Sequence, residues 1–302
     1  MPELLLHFDD EAAPAARLAA AAGLPARAIA RHRFPDGELK LRLPVDGHGA
    51  LPAHAVLLRS LAQPNEKLVE LLLAAQTARA LGVRRLTLVA PYLAYMRQDM
   101  AFAAGEAVSQ RIVGGFLAGL FDAVITVDPH LHRVHTLAEA VPLPAARAVA
   151  LSAAPLLADL IAAQRPGAWL VGPDEESAQW VAQAAARHGQ RTAVCRKLRS
   201  GDRAVRIALP EGADFHRAAV VLIDDVASTG RTLAEAARAL LAAGAASVDV
   251  AVTHALFADD AEPQLRAAGV GSIWSSDSIA HPSNAVPLAP LLAQALAAAA
   301  FT

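Results

Sequence analysis

The chain has 302 residues, of which 55% are hydrophobic and 19% charged, so it has the composition of a folded protein with room for two domains. Its formal net charge of −2 leaves no basic excess for binding nucleic acid or an anionic membrane surface. The single cysteine, Cys195, excludes an intrachain disulfide and suits a reducing compartment. The N-terminus lacks the basic region of a signal peptide, and the alanine-rich tail is shorter than the roughly 20 residues that span a bilayer, so we expect a cytoplasmic protein without a membrane segment.

Short apolar runs alternate with longer amphipathic stretches along the whole chain, which predicts an α/β fold of mainly parallel sheets flanked by helices. Residues 4–8, 86–90 and 123–127 are typical of the predicted strands. A proline-containing stretch, residues 141–145, separates two such series. We therefore predict two domains, 1–144 and 145–285, followed by a helix over about 286–302.

Residues 33–38, Arg-Phe-Pro-Asp-Gly-Glu, contain a tight-turn signal. The alternating residues 38–43 that follow are typical of a half-exposed strand. Taken alone, the segment predicts a simple hairpin that needs no further function.

The predicted strand 86–90 runs into a loop that carries Arg97 and Gln98. The planar fork of donors on an arginine suits a phosphate chain, which makes this loop a candidate phosphate site. A solvated loop arginine is the structural alternative.

The strand 123–127 ends close to Asp128, His130 and His132. The His-x-His spacing is compatible with a zinc site, although no cluster of cysteines or further ligands accompanies it. A structural pair of histidines is the simpler interpretation of the local sequence.

Another apolar strand, 168–172, ends just before Asp174, which precedes a predicted helix. An aspartate at that position can act as an N-cap, worth about 1 kcal/mol to the helix. The basic segment 194–203 then carries Lys197 and Arg199. It is either a charged edge strand that resists aggregation or a flap that closes over a phosphate-bearing substrate and supplies cations.

The most informative stretch is 220–232, in which a buried parallel strand is followed by Asp224 and Asp225, a small-residue loop and a helix. Such a loop at a helix N-terminus predicts an anion site, whereas the two acids would repel the same anion and suit neighbouring hydroxyls. A phosphate beside vicinal hydroxyls describes ribose 5-phosphate. The stretch is neither a Walker A loop nor a dinucleotide-binding glycine motif, and incidental acids in an ordinary strand–turn–helix remain the structural alternative. The loop residues expected to bind the phosphate are Ser228, Thr229, Gly230 and Thr232.

In this order, from residue 33 to about 283, these segments resemble the ribose-phosphate diphosphokinases, the synthetases of phosphoribosyl diphosphate (PRPP). The loop at 224–232 resembles type I phosphoribosyltransferases in general, whereas the Pro-Tyr-x-x-Tyr-x-Arg-Gln-Asp segment at 91–99 resembles the synthetases specifically. The non-basic segment 100–109 and Ser228 resemble archaeal-type members, and Arg231 stands where glycine is usual. The resemblance implies two tandem type I phosphoribosyltransferase-like domains, with the C-terminal helix joining the first.

The same resemblance implies transfer of the β,γ-diphosphoryl group of ATP to the C1 hydroxyl of ribose 5-phosphate, with Mg²⁺ as cofactor. Phe34, Asp36 and Glu38 would contact the adenine across a subunit interface, which implies a homo-oligomer. Arg97 and Gln98 would also bind ATP. The resemblance further assigns Lys197 and Arg199 to catalysis, His130 and Asp174 to the metal–phosphate assembly, and Asp224 and Asp225 to the ribose hydroxyls. Two alternatives stay open: a phosphoribosyltransferase that consumes PRPP, and a non-catalytic regulatory subunit associated with a PRPP synthetase.

Overall fold

The computed structural model describes residues 3–200, 204–258 and 260–298, with the backbone alone at 198–200 and 204–206. The chain divides into two compact units. The first comprises Met1–Leu151 together with Leu288–Thr302, and the second comprises Ser152–Pro287. The predicted division after residue 144 precedes a strand, Ala148–Leu151, that pairs within the sheet of the first unit.

The first unit contains a six-stranded sheet in the order β2-β1-β5-β6-β7-β8, in which every neighbouring pair is parallel. Two further strands, β3 and β4, form a separate antiparallel hairpin. The strands are β1 (Leu4–His7), β2 (Ala26–Ala28), β3 (Ala30–Arg33), β4 (Leu39–Arg42), β5 (His54–Leu58), β6 (Arg85–Ala90), β7 (Ala123–Val127) and β8 (Ala148–Leu151). The helices between them are α1 (Ala12–Ala22), α2 (Pro64–Ala80), α3 (Ser109–Leu120) and α4 (Leu137–Ala140).

The central strands of this sheet are apolar on both faces because helices cover both faces. All five residues of β7 are buried, as are the last four of β5 and the last five of β6. Helix α3 approaches α4 so closely that a Cβ on Gly114 would lie 1.7 Å from the carbonyl oxygen of Ala140. Glycine is therefore required at that position for these helices to pack.

The second unit repeats the design, with a parallel sheet in the order β10-β9-β13-β14-β15-β16 and a separate antiparallel pair, β11 and β12. Its strands are β9 (Trp169–Gly172), β10 (Thr192–Val194), β11 (Arg196–Ser200), β12 (Ala204–Ala208), β13 (Ala219–Ala227), β14 (Ser247–Ala255), β15 (Val270–Ser276) and β16 (Asn284–Val286). Its helices are α5 (Ala154–Gln164), α6 (Ala178–His188), α7 (Arg231–Ala242) and α8 (Ala261–Ala267). The last helix, α9 (Ala289–Ala298), returns to the first unit and packs against α1.

The parallel sheets flanked by helices confirm the predicted α/β class. Their topology brings the loops after β1, β5, β6 and β7 to one edge of the first sheet, and those after β9 and β13 to one edge of the second, because the carboxyl ends of parallel strands share an edge. Arg97, Gln98, His130, Asp174 and residues 228–230 lie in these loops, whereas Asp224 and Asp225 lie on β13 itself. Among the described residues, no helix is both long enough and apolar enough to cross a membrane.

Candidate active site

Strand β13 carries the predicted acid pair at its carboxyl end. Val220 to Ile223 are fully buried and pair with β9 and β14, as their branched apolar side chains predict. The sequence predicts that the strand ends at Ile223, but pairing with β14 extends it through both acids to Ala227. Asp224 and Asp225 are therefore held by the sheet, which fixes their backbone more firmly than a loop would.

Residues 228–230, where the sequence predicts an anion site, connect β13 to α7. Gly230 is the N-cap of the helix and has a φ of 69°, a left-handed conformation that favours glycine. Gly230 supplies no side-chain cap to α7, so the amides of the first turn and the positive end of the helix dipole can serve an anion. Ser228, Thr229 and Thr232 supply hydroxyl groups in the same short segment.

The two acids differ in their surroundings. Asp225 is buried, whereas Asp224 is half-buried and its Oδ1 accepts a hydrogen bond of 3.0 Å from the amide of Asp225. Burial, followed by the carboxylates of Asp225 and Asp174, raises the pKa of Asp224 well above its usual value. A cation or a set of hydroxyl donors next to Asp224 would relieve this repulsion.

Asp174 lies in the turn that follows β9, and β9 is the neighbour of β13 in the sheet. Its carboxylate accepts a hydrogen bond of 3.2 Å from the amide of Glu176, so the predicted N-cap role is present for the short 3-10 turn that precedes α6. Burial and the charge of Glu176 raise the pKa of Asp174, and Lys197 offsets only part of this effect. The tight turn depends on Gly172, where a Cβ would lie 2.3 Å from Oγ of Ser177.

Lys197 lies on β11, in the hairpin that the sequence predicts as a flap. Its Nζ is 3.8 Å from Oδ2 of Asp174, and its amide donates a hydrogen bond of 3.3 Å to Oε2 of Glu175. The structure thus brings Lys197, Asp174 and Asp224 into one region of the second unit. The side chain of Arg199, the other predicted catalytic residue, lies outside the described residues.

The predicted hairpin at 33–38 is confirmed as the turn between β3 and β4. The amide of Phe34 donates to the carbonyl of Glu38 at 2.8 Å, and Oδ1 of Asp36 accepts from the amide of Glu38 at 3.1 Å. Phe34 is 39% exposed and rests edge-on against His32, with 4.8 Å between ring centroids. An exposed aromatic ring flanked by two exposed acids can stack on a base and accept hydrogen bonds from its amino group.

The loop after β6 presents Arg97 to solvent and holds Gln98 by a hydrogen bond of 3.1 Å from Ser109. Tyr95, two residues earlier, has a φ of 65° and its hydroxyl is hydrogen-bonded to Asn65 on α2. A left-handed tyrosine is unfavourable, and such residues persist where neighbouring contacts fix them, often at functional sites. Contacts of Tyr95 and Gln98 therefore hold this loop on both sides of Arg97.

Asp128 directly follows β7 and has a φ of 36°, and the loop after it carries half-buried His130. Arg133 in this loop ties it to the preceding one, since its guanidinium lies 2.7 Å from Asp99 and its amide donates to the same carboxylate at 2.9 Å. Burial acts to raise the pKa of Asp99, but these bonds with Arg133 outweigh it and hold the pKa below its usual value. The loops that carry Gln98 and His130 are thus joined directly.

Sequence reasoning missed a cluster of charged residues that follow β1 and β5 and lie on α2. The guanidinium of Arg59 is 1% exposed and lies 2.8 Å from Asp10 and 3.2 Å from Glu11. It also contacts Glu70, which is fully buried and paired with Arg31 on the hairpin. The available signals were a lone arginine directly after an apolar strand and a glutamate within an otherwise apolar helix face.

The candidate metal ligands belong to different units, with His130 in the first and Asp174 in the second. In the part of the chain that the structure describes, no group of three or more His, Cys, Asp or Glu side chains is arranged to hold a metal ion. Magnesium commonly takes only one or two carboxylates and completes its shell with water and substrate phosphates. Asp224, Asp225 and Asp174 supply oxygen ligands of the type that it prefers.

Family models match both units. One described as the N-terminal domain of ribose phosphate pyrophosphokinase matches residues 4–120, and one described as a phosphoribosyl transferase domain matches residues 145–267. The ribose-phosphate pyrophosphokinase of Methanopyrus kandleri is 36% identical, and the match covers 89% of each chain. Ribose-phosphate pyrophosphokinase 2 of Archaeoglobus fulgidus is 32% identical, over 93% of this chain and 95% of the relative.

The chain is similar to a solved structure, that of phosphoribosylpyrophosphate synthetase from Mycobacterium smegmatis, with a TM-score of 0.82. The superposition covers 98% of each chain. At 24% identity this likeness establishes the shared fold, and it confirms the predicted pair of phosphoribosyltransferase-like units. Both relatives described above are archaeal, in agreement with the loop features of the sequence. The chain belongs to the ribose-phosphate pyrophosphokinase family, the family that its motifs predicted.

Proposed function

We propose that the chain transfers the β,γ-diphosphoryl group of ATP to the C1 hydroxyl of ribose 5-phosphate, giving AMP and PRPP for nucleotide biosynthesis. The observation that carries this proposal is the match at 36% identity to a ribose-phosphate pyrophosphokinase over 89% of both chains. The match includes the segments of both units in which substrate-binding chemistry was predicted.

Ribose 5-phosphate binds at the end of β13. The 5-phosphate is held by the first-turn amides of α7 and by Ser228, Thr229, Gly230 and Thr232. Asp224 and Asp225 accept hydrogen bonds from the ribose hydroxyls, which lowers the cost of keeping two adjacent carboxylates ionised. The raised pKa of Asp224 supports this assignment, because binding of hydroxyl donors stabilises the charged form.

ATP binds through residues of the first unit. Phe34 stacks on the adenine, while Asp36 and Glu38 accept hydrogen bonds from its amino group. Arg97 and Gln98 bind the phosphate chain, and the contacts of Gln98 with Ser109 hold the loop in place. By the family resemblance the hairpin serves the nucleotide of a neighbouring subunit, so we propose that the protein is a homo-oligomer.

Lys197 and Arg199 neutralise the charge that develops on the transferring phosphates. His130 and Asp174 order the metal–phosphate assembly. Asp174, Asp224 and Asp225 would offer carboxylate oxygens to a bound magnesium ion, which would supply positive charge to the phosphate oxygens. The side-chain ammonium of Lys197 lies next to Asp174, which supports a common role for the two residues.

The reaction joins the C1 oxygen of the ribose to the β-phosphorus and breaks the bond between that phosphorus and the bridging oxygen that leaves with AMP. The protein contributes position and charge, and no covalent enzyme intermediate is needed. Positioning two substrates can supply about 7–11 kcal/mol of the barrier, and electrostatic groups such as Lys197 contribute a further part. A cytoplasmic location, where ATP is present and thiols stay reduced, suits both the reaction and the buried Cys195.

Two other functions are less well supported. A phosphoribosyltransferase that consumes PRPP would account for the match at 145–267, but it leaves the match at 4–120 unexplained. A non-catalytic regulatory subunit would not need the basic flap, whereas Lys197 is present and lies beside Asp174.

Anion-exchange chromatography of a reaction mixture tests the proposal. With Mg²⁺, ATP and ribose 5-phosphate, we expect AMP and PRPP to accumulate in equal amounts. Omission of ribose 5-phosphate should abolish AMP formation. Formation of a nucleotide from PRPP and a nucleobase, or nucleotide binding without any product, would reject the proposal in favour of one of the alternatives.

A further inference from the structure

The hairpin β3–β4 lies outside the main sheet of the first unit. Its two strands pair only with each other among the described residues and do not join the six-stranded sheet. An isolated two-stranded hairpin is marginally stable in water, so its orientation depends on side-chain contacts with the body of the unit. Those contacts therefore decide where Phe34, Asp36 and Glu38 are presented.

The hairpin packs Leu41 against the core of the unit, and its arginines form ion pairs with the N-terminal half of α2 and with the turn after β1. Arg31 on β3 is paired with Glu70, and its other nitrogen donates to Asp9 at 2.8 Å. Arg33, at the end of the same strand, is paired with Glu66. Both arginines are within three residues of Phe34, so their ion pairs act next to the turn that is proposed to contact the nucleotide.

Glu70 is a rigid support for Arg31. It is fully buried, and its second oxygen pairs with buried Arg59, which also contacts Asp10 and Glu11. Replacing a buried ion pair by apolar residues is often neutral or stabilising, so fold stability alone is a poor reason for this cluster. Fixing the position of a hairpin that lies outside the main sheet is a better reason.

The same helix also holds the other nucleotide segment. Asn65, in the first turn of α2, is hydrogen-bonded to Tyr95, two residues before Arg97. The first two turns of α2 thus contact both the hairpin and the loop after β6. One helix sets the positions of two segments that are far apart in sequence.

We propose that Arg31 and Glu70, assisted by the Arg33–Glu66 pair, are positioning residues of the nucleotide site that hold the β3–β4 hairpin on α2. The inference rests on the proposed function, since it assumes that the hairpin contacts ATP. It holds whichever subunit supplies the nucleotide that the hairpin contacts.

The test compares Arg31→Gln with the conservative Arg31→Lys, and with Arg187→Gln as the control. Arg187 forms an exposed pair with Asp159, at 3.0 Å, in the second unit, so it controls for the loss of an arginine ion pair away from the hairpin. Hydrogen exchange of the ligand-free protein should be at least about fivefold faster over residues 30–42 in Arg31→Gln, because local opening becomes easier. The KM for ATP should rise about 10-fold, with kcat and the KM for ribose 5-phosphate within about twofold of wild type. Arg31→Lys should restore part of the affinity, and Arg187→Gln should match wild type.

Unchanged exchange over 30–42 in Arg31→Gln would overturn the inference. So would faster exchange with an unchanged KM for ATP, because the hairpin would then be loosened without effect on the nucleotide. If Arg31→Gln unfolds, Glu66→Gln tests the same prediction at an exposed pair. Failure of wild type to form PRPP would instead reject the proposed function, and the exchange result would still report whether the hairpin is held by Arg31.

Discussion

The ammonium of Lys197 is 3.8 Å from the carboxylate of Asp174, and both side chains keep some contact with solvent. A partly exposed ion pair of this length contributes about 0–1 kcal/mol to stability, so the fold does not depend on it. The cation is therefore available to an incoming phosphate. Asp174 in turn keeps the flap cation near the end of β9 while the phosphate is absent.

Lys197→Ala should lower kcat by about 10²–10³-fold, because removal of one group that stabilises transition-state charge has an effect of that size. The KM for ribose 5-phosphate should change little. The matched control is Arg196→Ala, which removes an exposed positive charge from the same strand and should leave kcat within about twofold of wild type. Steady-state rates of AMP release provide the measurement, and a near-normal kcat for Lys197→Ala would contradict the catalytic role.

Asp224 links stability to function. The pKa of Asp224 is raised in the folded state, so the ionised carboxylate opposes folding. Its protonated form favours the fold below the unfolded pKa of about 3.9. This contribution is lost as the pH rises through the pKa of the folded state. Asp224→Asn should therefore raise the Tm of the ligand-free protein at pH 7.5 by at least about 2 °C, while impairing use of ribose 5-phosphate. The difference in Tm should shrink towards pH 4. Calorimetry across that range is the measurement, and a lower Tm at neutral pH would contradict the electrostatic account.

At the scale of secondary-structure elements, packing constrains the turn after β9. A Cβ on Gly172 would lie 2.3 Å from Oγ of Ser177, which donates to the carbonyl of Asp174 at 2.6 Å. Gly172→Ala should lower the Tm by about 4 °C or more, because it displaces this hydroxyl and the turn that carries Asp174. The double variant Gly172→Ala/Ser177→Ala should recover part of the loss. No recovery would show that the clash with Ser177 is not the cause.

Many of the secondary-structure elements were predictable from the sequence. The buried strands read as continuous apolar runs, and the acids and arginines that follow them mark the carboxyl edges of the sheets. The extension of β13 through Asp224 and Asp225 was not predictable, because two adjacent acids argue against a strand and only pairing with β14 overrides that preference. The basic segment 194–203 is likewise divided at Cys195, where the chain leaves the sheet after β10 and begins the β11–β12 hairpin.

At the scale of the whole molecule, the buried charges of Arg59 and Glu70 were beyond sequence reasoning. Their partners Asp10, Glu11 and Arg31 lie far away in sequence, and only the fold brings them together. The roles of single loop residues were accessible through family resemblance. The ion pairs of Arg59 and Glu70, in contrast, were found only in the structure.

The proposed homo-oligomer leads to a complementation test. Phe34→Ala damages the hairpin, and Arg97→Ala damages the loop after β6. If the hairpin serves a neighbouring subunit, each variant alone should be nearly inactive, whereas coexpression should restore about a quarter of wild-type activity, since about half of the pairs are mixed and each mixed pair holds one intact site. Coexpressed chains that stay inactive, or an active species with the 31.4 kDa mass of one chain by light scattering, would contradict the cross-subunit role.

Transfer of two phosphoryl groups together, from ATP to ribose 5-phosphate, is the activity that we propose for this chain. The most direct test is ³¹P NMR of the purified protein with Mg²⁺, ATP and ribose 5-phosphate, followed over time in one sample. We predict that AMP and a sugar carrying a diphosphate on C1 appear together and in equal amounts. Appearance of ADP would mean transfer of the γ-phosphoryl group alone and would contradict the account.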